Sequence, residues 1–322
     1  MSLTIENNIL MKNGKPFFYL ADTCWSAFTN IKDNDWDYYL DYRKSQGFNT
    51  LQINILPQWD ASATDLCYEP FEVIDGKYNY KKLNLSYFEH ADKMCARAKE
   101  KGFELALVIM WCNFVPDTWA SQFYSKGIMP IDCIDNYINI IHETFTKYEP
   151  LYIISGDTDF NTEQCIEYYV KCAKQIKELA PNCLYTTHIK GRYTYIPDNL
   201  YSYLDLCFYQ SGHNAQNLGM PYLLAEEMAD KYKGKPVINS EPCYEDMGYS
   251  RQMYGRWSKE DIIRAAWMSL LSGASAGITY GAAGIYSWHT TNKGFEASLG
   301  EGFATPKCWQ QALCFEGAWE IY

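Results

Sequence analysis

The 322-residue sequence predicts a (β/α)8 TIM barrel of the α/β class, preceded by a β-hairpin. Three observations lead to this prediction. Eight short apolar runs alternate with amphipathic helical patterns, which is typical of a parallel sheet built from βα units. Eight such units in about 300 residues match this barrel in size. No segment rich in Pro, Gly or Ser divides the chain, so we expect one domain over residues 1–322. An open doubly wound sheet is the alternative that the pattern leaves open.

The eight predicted strands begin near Phe17, Asn49, Phe103, Leu151, Cys183, Leu204, Lys235 and Gly277. Between them, apolar residues recur every three or four positions, as at Ile134, Ile138, Ile141 and Phe145, so each helix has one face for the sheet. The fifth and sixth strands begin only about 21 residues apart. We therefore expect a short or distorted helix around residues 198–203.

A β-hairpin is predicted within residues 3–17, ahead of the first barrel strand. Asn13 and Gly14 lie at the centre of the segment 9–17, and this dipeptide favours a type I′ turn. Such a hairpin is expected to cover the bottom of the barrel.

Two helix starts carry capping signals, Ser258 with Asp261 and Asn161 with Gln164. The segment from 264 to 289 has no charged residue between its ends and is long enough to suggest a membrane span. Because serines and glycines interrupt it, we interpret it as a buried helix followed by a buried strand.

The composition excludes several classes of protein. Asp and Glu outnumber Lys and Arg by 39 to 28, which gives a net charge of −11 and disfavours binding to nucleic acid or to an anionic membrane. Twelve cysteines are scattered without a Cys-x-x-Cys pair, which indicates reduced thiols rather than disulfides or a zinc ribbon. The first residues lack the apolar run of a secretory signal, so a cytoplasmic location is expected. No cofactor is predicted.

The active site of a TIM barrel forms at the C-terminal ends of its strands. Aromatic rings there offer platforms for sugar rings, and polar side chains offer hydrogen bonds. The residues at or just beyond the predicted strand ends are therefore candidate contacts for a carbohydrate substrate. These are Asp22, Trp25, Trp111, Asn113, His188, Gln210, His213, Tyr244, Glu245, Tyr280 and Trp288.

Two acids directly follow apolar strands, Asp157 after the fourth strand and Glu241 after the seventh. These strands lie across the barrel mouth from each other, so the two carboxyl groups are expected to face one another, as cleavage of a glycosidic bond requires. A separation of about 5 to 5.5 Å predicts retention of configuration. We assign Asp157 as general acid/base, with a pKa raised by the nearby charge of Glu241, and Glu241 as nucleophile.

Other interpretations of these acids remain open. Each could cap a helix or pair with an arginine, such as Arg192, Arg251 or Arg256. Asp159 competes for the role of the acid, although its place before a helix favours a capping role.

A metal site is a further alternative, because histidines after the fifth and sixth strands are typical of metal-dependent barrel hydrolases. The first strand lacks the His-x-His that such a site also needs. The motifs of zinc proteases, serine hydrolases and P-loop kinases are absent from the sequence.

Several short motifs, in order over nearly the whole chain, resemble the apiosidase-like barrel enzymes of glycoside hydrolase family 140 and relatives. They are residues 13–18 (NGKPFF), 20–23 (LADT), 47–49 (GFN), 156–157 (GD), 210–213 (QSGH), 241–246 (EPCYED) and 279–281 (TYG). The resemblance implies a TIM-barrel glycosidase with Asp157 as acid/base and Glu241 as nucleophile. It also implies a plant-type substrate such as an apiose-containing pectic oligosaccharide. The alternatives are a metal-dependent barrel hydrolase and a carbohydrate-binding barrel without catalysis.

Overall fold

The computed structural model describes residues 3–250, 253–290 and 304–321. Within these ranges the strands are β1 (Leu3–Glu6), β2 (Ile9–Lys12), β3 (Lys15–Pro16), β4 (Tyr19–Thr23), β5 (Thr50–Asn54), β6 (Phe71–Ile74), β7 (Lys77–Leu83), β8 (Glu104–Trp111), β9 (Leu151–Gly156), β10 (Leu184–Thr186), β11 (Cys207–Tyr209), β12 (Val237–Asn239) and β13 (Gly277–Tyr280).

The α-helices of the described residues are α1 (Ala27–Asn30), α2 (Asp33–Ser45), α3 (Leu85–Glu100), α4 (Ile134–Phe145), α5 (Glu163–Leu179), α6 (Asp198–Tyr201), α7 (Met220–Lys231), α8 (Lys259–Leu271), α9 (Trp309–Leu313) and α10 (Gly317–Glu320). Short 3-10 helices cover Cys112–Phe114, Ser121–Phe123, Ile131–Cys133 and Thr146–Tyr148.

Eight parallel strands form the barrel, in the order β10-β9-β8-β5-β4-β13-β12-β11. Each begins at or shortly after its predicted start, so the TIM-barrel prediction is confirmed. The strands β5, β8 and β9 are buried along their whole length, because side chains fill the barrel inside and helices cover it outside.

The joint between β10 and β11 closes the cylinder without a regular ladder. The backbone N–H of Asp205 donates to the carbonyl of Tyr185 over 2.8 Å, and that of Arg192 donates to Gln210 over 2.9 Å. The connecting helix α6 has only four residues, as the close spacing of the two strands predicted.

The predicted N-terminal hairpin is a three-stranded antiparallel sheet, β1-β2-β3. Asn13 and Gly14 have φ of 55° and 70°, which fits the predicted type I′ turn. Lys12 in β2 lies 2.5 Å from the carboxylate of Glu104, the first residue of β8. The sheet therefore lies below the barrel, at the end opposite the C-terminal strand ends.

The capping box of Ser258 and Asp261 at the start of α8 is confirmed. At the start of α5 the prediction was wrong by one residue, because the hydroxyl of Thr162, rather than the side chain of Asn161, accepts from the N–H of Cys165. The uncharged segment after 264 forms most of α8 and then β13, as predicted. In the described ranges, no helix is long and apolar enough to cross a bilayer.

All twelve cysteines lie in the described residues and none forms a disulfide, as the sequence predicted. Most of them are buried, and Cys67 and Cys314 are exposed. The antiparallel pair β6-β7, inserted between β5 and α3, was not predicted from the sequence.

Candidate active site

A cavity of about 220 Å³ lies at the C-terminal end of the barrel strands. Its wall is rich in indole and phenol rings and also carries charged side chains. The lining residues are Trp25, Gln58, Trp59, Asp60, Trp111, Trp119, Asp157, Lys190, Gly191, Arg192, Gly212, His213, Asn214, Glu241, Tyr244, Met247 and Tyr286. Asp157 and Glu241, which the sequence separates by more than eighty positions, therefore share one cavity.

Glu241 follows β12 closely, and two imidazoles hold its carboxylate. The Nε2 of His213 lies 2.9 Å from Oε1, and the Nε2 of His188 lies 2.9 Å from Oε2. Burial would raise the pKa of Glu241, but the hydrogen bonds and charges of the two imidazoles lower it to about 2. The carboxylate is therefore ionised across the range in which most enzymes work.

The orientation of the His188 ring is fixed from the other side, since its Nδ1 lies 2.8 Å from the hydroxyl of Ser240. Both Nε2 atoms point at the carboxylate of Glu241, at hydrogen-bond distance. They do not point at a common position, as two ligands of one metal ion would. Across the described ranges, no three His, Cys, Asp or Glu side chains are grouped as a metal ion would need. The geometry thus gives no support to the metal-dependent alternative.

Asp157 comes directly after β9 and has φ of 50°, a left-handed conformation that Asp tolerates better than most residues. Gln210 donates to its Oδ1 over 2.5 Å, and the indole N–H of Trp119 donates to its carbonyl over 2.8 Å. Glycine is favoured at the preceding position, because a Cβ at Gly156 would lie 2.2 Å from the ring of Trp111 and would displace it. Close packing between β8 and β9 thus positions Asp157.

A chain of contacts limits the distance between the two carboxylates. Gln210 Nε2 lies 2.5 Å from Asp157 Oδ1 and 3.5 Å from His188 Nε2, which lies 2.9 Å from Glu241 Oε2. Oδ1 of Asp157 and Oε2 of Glu241 are therefore at most about 9 Å apart, which is compatible with paired carboxyl groups on either side of a sugar.

Aromatic rings form the wall next to Glu241. The indole N–H of Trp25 donates to the hydroxyl of Tyr244 over 2.9 Å, and the ring of His213 contacts the ring of Tyr244 edge-on with centroids 4.5 Å apart. Trp25 and Trp111 pack edge to face at 5.3 Å. The rings are held by one another, so this wall is in place before a ligand binds.

The arginines considered in the sequence are engaged elsewhere. Arg192 donates to the backbone carbonyls of Asn214 and Asn217. Arg256 pairs with Asp246, and Arg251 lies outside the described residues. Asp159, the competitor for the acid role, is buried and forms an ion pair of 2.8 Å with Lys190.

Of the remaining candidate contacts, His188 and Gln210 touch the two carboxylates from beneath the cavity. Five others do not line the cavity: Asp22, Asn113, Glu245, Tyr280 and Trp288.

Asp22 lies away from the cavity. Its carboxylate is fully buried against helix α2, where Arg43 Nε lies 2.5 Å away and the hydroxyl of Tyr39 donates over 2.7 Å. Tyr280 and Glu245 bond to each other over 2.6 Å, behind the barrel wall. These groups join the barrel to its outer layer.

Trp288 also belongs to the outer packing, because its ring stacks on Trp309 at 4.5 Å. Asn113 lies in the 3-10 helix after β8 and is completely buried. Neither side chain is available to a ligand in the cavity.

Several lining residues were not predicted from the sequence, chief among them Gln58, Trp59 and Asp60 in the loop after β5. No strand-end residue was proposed for this second barrel strand. The rule that placed Asp157 would have led to Asp60 if it had been extended a few residues into the loop. Trp119, Lys190 and Tyr286 also lie in loops and carried no distinct signal.

The model of the apiosidase-like catalytic domain matches residues 5–322. The chain belongs to this family. The resemblance read from the short motifs is therefore confirmed, and the apiosidase-like domain accounts for nearly the whole chain as a glycoside hydrolase barrel.

Solved structures share the fold of this apiosidase-like domain. A protein described as a glycoside hydrolase has a TM-score of 0.80 and 24% identity, with 99% of this chain and 73% of that chain covered. A family 5 glycoside hydrolase from Bacteroides vulgatus has a TM-score of 0.82 and 24% identity, with 99% and 70% covered. An endo-1,4-β-mannanase from Rhizomucor miehei has a TM-score of 0.59 and 14% identity, with 87% and 90% covered. No curated protein has significant sequence similarity to this chain.

Proposed function

We propose that this protein is a retaining glycoside hydrolase that removes a terminal sugar from a plant-type oligosaccharide, such as an apiose-containing pectic side chain. Glu241 is the nucleophile and Asp157 the general acid/base. The observation that carries the proposal is the pair of imidazoles, His188 and His213, that keeps Glu241 ionised in the same cavity as Asp157.

In the proposed reaction Glu241 attacks the anomeric carbon while Asp157 gives its proton to the leaving oxygen, and the glycosidic bond breaks. Asp157 then takes a proton from water, and the resulting hydroxide displaces Glu241 from the anomeric carbon. Two inversions at this carbon give net retention.

The low pKa of Glu241, about 2, favours a nucleophile over the base of an inverting enzyme. A general base works best when its pKa lies near the working pH, because a carboxylate that binds protons so weakly takes few from water. A nucleophile needs only to be ionised and close to the carbon. The bound on the carboxylate separation, about 9 Å, includes the spacing of about 5 to 5.5 Å that retention requires.

The cavity also supports action on a terminal sugar. Its volume of about 220 Å³ is below the range of about 300 to 1,000 Å³ that is typical of sites for larger ligands. A single sugar ring matches this space better than a long stretch of polysaccharide. The indoles of Trp25 and Trp111 supply the apolar surface such a ring needs.

The test is hydrolysis of 4-nitrophenyl glycosides, including apiofuranosides, by the wild type and by Glu241→Ala and Asp157→Ala. Both variants are expected to lose at least about 1,000-fold in kcat. Azide should restore turnover in Asp157→Ala and give a glycosyl azide of retained configuration, seen by NMR. Glu245→Gln removes the charge of a carboxylate outside the cavity and should keep wild-type kcat. Full activity in Glu241→Ala, or a product of inverted configuration from the wild type, contradicts the proposal.

A further inference from the structure

Asp60 is a third carboxyl group of the cavity, beside Asp157 and Glu241, and the proposed reaction does not use it. It lies in the loop that follows β5. One of its oxygens, Oδ1, is shielded from solvent and has no hydrogen-bond partner among the described residues. Such an oxygen is costly to bury, because it has lost water without gaining another donor. Because Asp60 lines the cavity, a ligand hydroxyl that reaches its carboxylate would supply the missing donor.

The loop holds Asp60 in place. The side-chain amide of Asn54, the last residue of β5, donates to the side-chain oxygen of Gln58. The amide nitrogen of Gln58 is thereby turned to donate, and its interaction with the carboxylate of Asp60 lowers the pKa of that group. A barrel strand thus positions this carboxylate through one intermediate side chain.

Two further bonds anchor the loop just beyond Asp60. The N–H of Ser62 donates to the carbonyl of Ser287 over 3.0 Å, and the amide of Asn30 donates to the carbonyl of Ser62 over 2.7 Å. On the other side, Trp59 packs edge-on against Trp119 with ring centroids 5.3 Å apart. The carboxylate therefore belongs to a preformed wall of the cavity.

No lysine or arginine forms an ion pair with Asp60 within the described part of the chain. The cavity has two cationic side chains besides the imidazole of His213, namely Lys190 and Arg192; Lys190 pairs with Asp159, and Arg192 donates to backbone carbonyls. Burial, and to a smaller extent the negative charge of Glu241, raise the pKa of Asp60 to about 6, against the hydrogen bond from Gln58 and the charge of His213. At neutral pH the group is a carboxylate, which only accepts hydrogen bonds.

We propose that the Asp60 carboxylate binds two adjacent hydroxyl groups of the terminal sugar, so that the substrates are glycosides whose terminal residue has a free vicinal diol. Neighbouring hydroxyls of a sugar present two donors at a spacing that the two oxygens of one carboxylate accept together. A neutral sugar supplies these donors without adding a charge next to Glu241. This proposal rests on the proposed function and specifies the substrate of the same site.

The experiment compares wild type, Asp60→Asn and the matched control Asp65→Asn, an exposed aspartate of the same loop region. The substrates are those 4-nitrophenyl glycosides that the wild type hydrolyses, from a panel of apiofuranoside, arabinofuranoside, xyloside, galactoside and mannoside, together with their monodeoxy counterparts. In the wild type, removal of either of two adjacent hydroxyls should lower kcat/KM roughly 10- to 100-fold, the effect of a hydrogen bond to a charged group.

Asp60→Asn should lose a similar factor on the parent glycoside and then discriminate little between it and the two deoxy analogues. Asp65→Asn should match the wild type on every substrate. The proposal is overturned when the penalties of Asp60→Asn and of the deoxy change simply multiply, or when Asp60→Asn matches the wild type. It is also overturned when Asp60→Asn loses activity on 4-nitrophenyl but not on 2,4-dinitrophenyl glycosides, because that pattern identifies a proton donor.

Titration calorimetry with free D-apiose, L-arabinose, D-xylose, D-galactose and D-mannose separates failure of this proposal from failure of the proposed function. If the wild type binds one of these sugars but hydrolyses no glycoside, the proposed function is wrong. Weaker binding by Asp60→Asn would then still support the diol contact. Equal binding by the two proteins, or no binding of any of the five sugars, overturns it. Asp60→Ala, checked for folding by circular dichroism, provides a second variant that should behave as Asp60→Asn does.

Discussion

Replacement of Asp22 by asparagine is expected to destabilise the protein without affecting its chemistry. The carboxylate of Asp22 and the guanidinium of Arg43 are both fully buried, with Nε 2.5 Å from Oδ2. Arg43 also donates to Gln46 over 2.6 Å and lies 5.2 Å from the ring centroid of Tyr280. The variant keeps the shape of the side chain but leaves the charge of Arg43 without its carboxylate.

Loss of one partner of a buried ion pair costs about 3 to 5 kcal/mol, mostly the penalty for the charge that stays behind. For a chain of 322 residues, a loss of about 4 kcal/mol lowers Tm by about 6 °C. The double variant Asp22→Asn/Arg43→Met removes both charges and should recover much of this loss.

Urea unfolding followed by circular dichroism measures the free energy, and kcat/KM on the best nitrophenyl glycoside at 25 °C measures the site. The single variant should stay within about twofold of the wild type in kcat/KM, because Asp22 lies outside the cavity. A change in stability below about 1 kcal/mol together with a 100-fold loss of kcat/KM would refute this reasoning and restore Asp22 as a substrate contact.

Three more outcomes are expected. Because the pKa of Glu241 is lowered from 4.5 to about 2, the contribution of this group to stability is complete above pH 4.5 and is lost towards pH 2. In urea unfolding, the wild type should therefore lose about 2 kcal/mol more than Glu241→Gln between pH 5 and pH 3. Equal losses in the two proteins would contradict this prediction. Gly156→Ala should cost about 1 to 3 kcal/mol and at least about tenfold in kcat/KM, since the new Cβ displaces the ring of Trp111; unchanged values would show that the ring moves freely. Ellman's reagent should label Cys67 and Cys314 rapidly in the native protein and all twelve cysteines in denaturant. Rapid labelling of many further cysteines in the native protein would contradict the burial of those thiols.

The alternation of strands and helices was enough to predict the barrel, because each unit buries one apolar stripe against a fully buried strand. It was also enough to bring Asp157 and Glu241 to one end, since parallel strands all end on the same side. Asp22 shows where this reasoning stops. Successive side chains of a strand point to opposite faces, and that of Asp22 points to helix α2 rather than to the cavity. The sequence shows where a strand ends, but it does not show which face of the sheet the last side chain occupies.

Asp60 and Trp59 were missed for a different reason. They lie several residues beyond β5, in a loop whose path depends on bonds to distant segments, such as that between Ser62 and Ser287. Pairs of this kind, remote in sequence and joined through the backbone, leave no periodic pattern. The same is true of the short contacts among His188, Gln210 and Asp157, which arise only when the barrel closes.

The irregular joint between β10 and β11 is expected to open more easily than the regularly paired strands β8 and β9. Strands β8 and β9 pair in register from Ala106 to Trp111, whereas scattered bonds alone hold β10 to β11. Amide protons along this side should exchange with deuterium first. The cavity wall at residues 190–192 begins at this joint, so sugar binding is expected to slow the exchange of these amide protons. The exchange rate at the joint would therefore report whether the site is occupied.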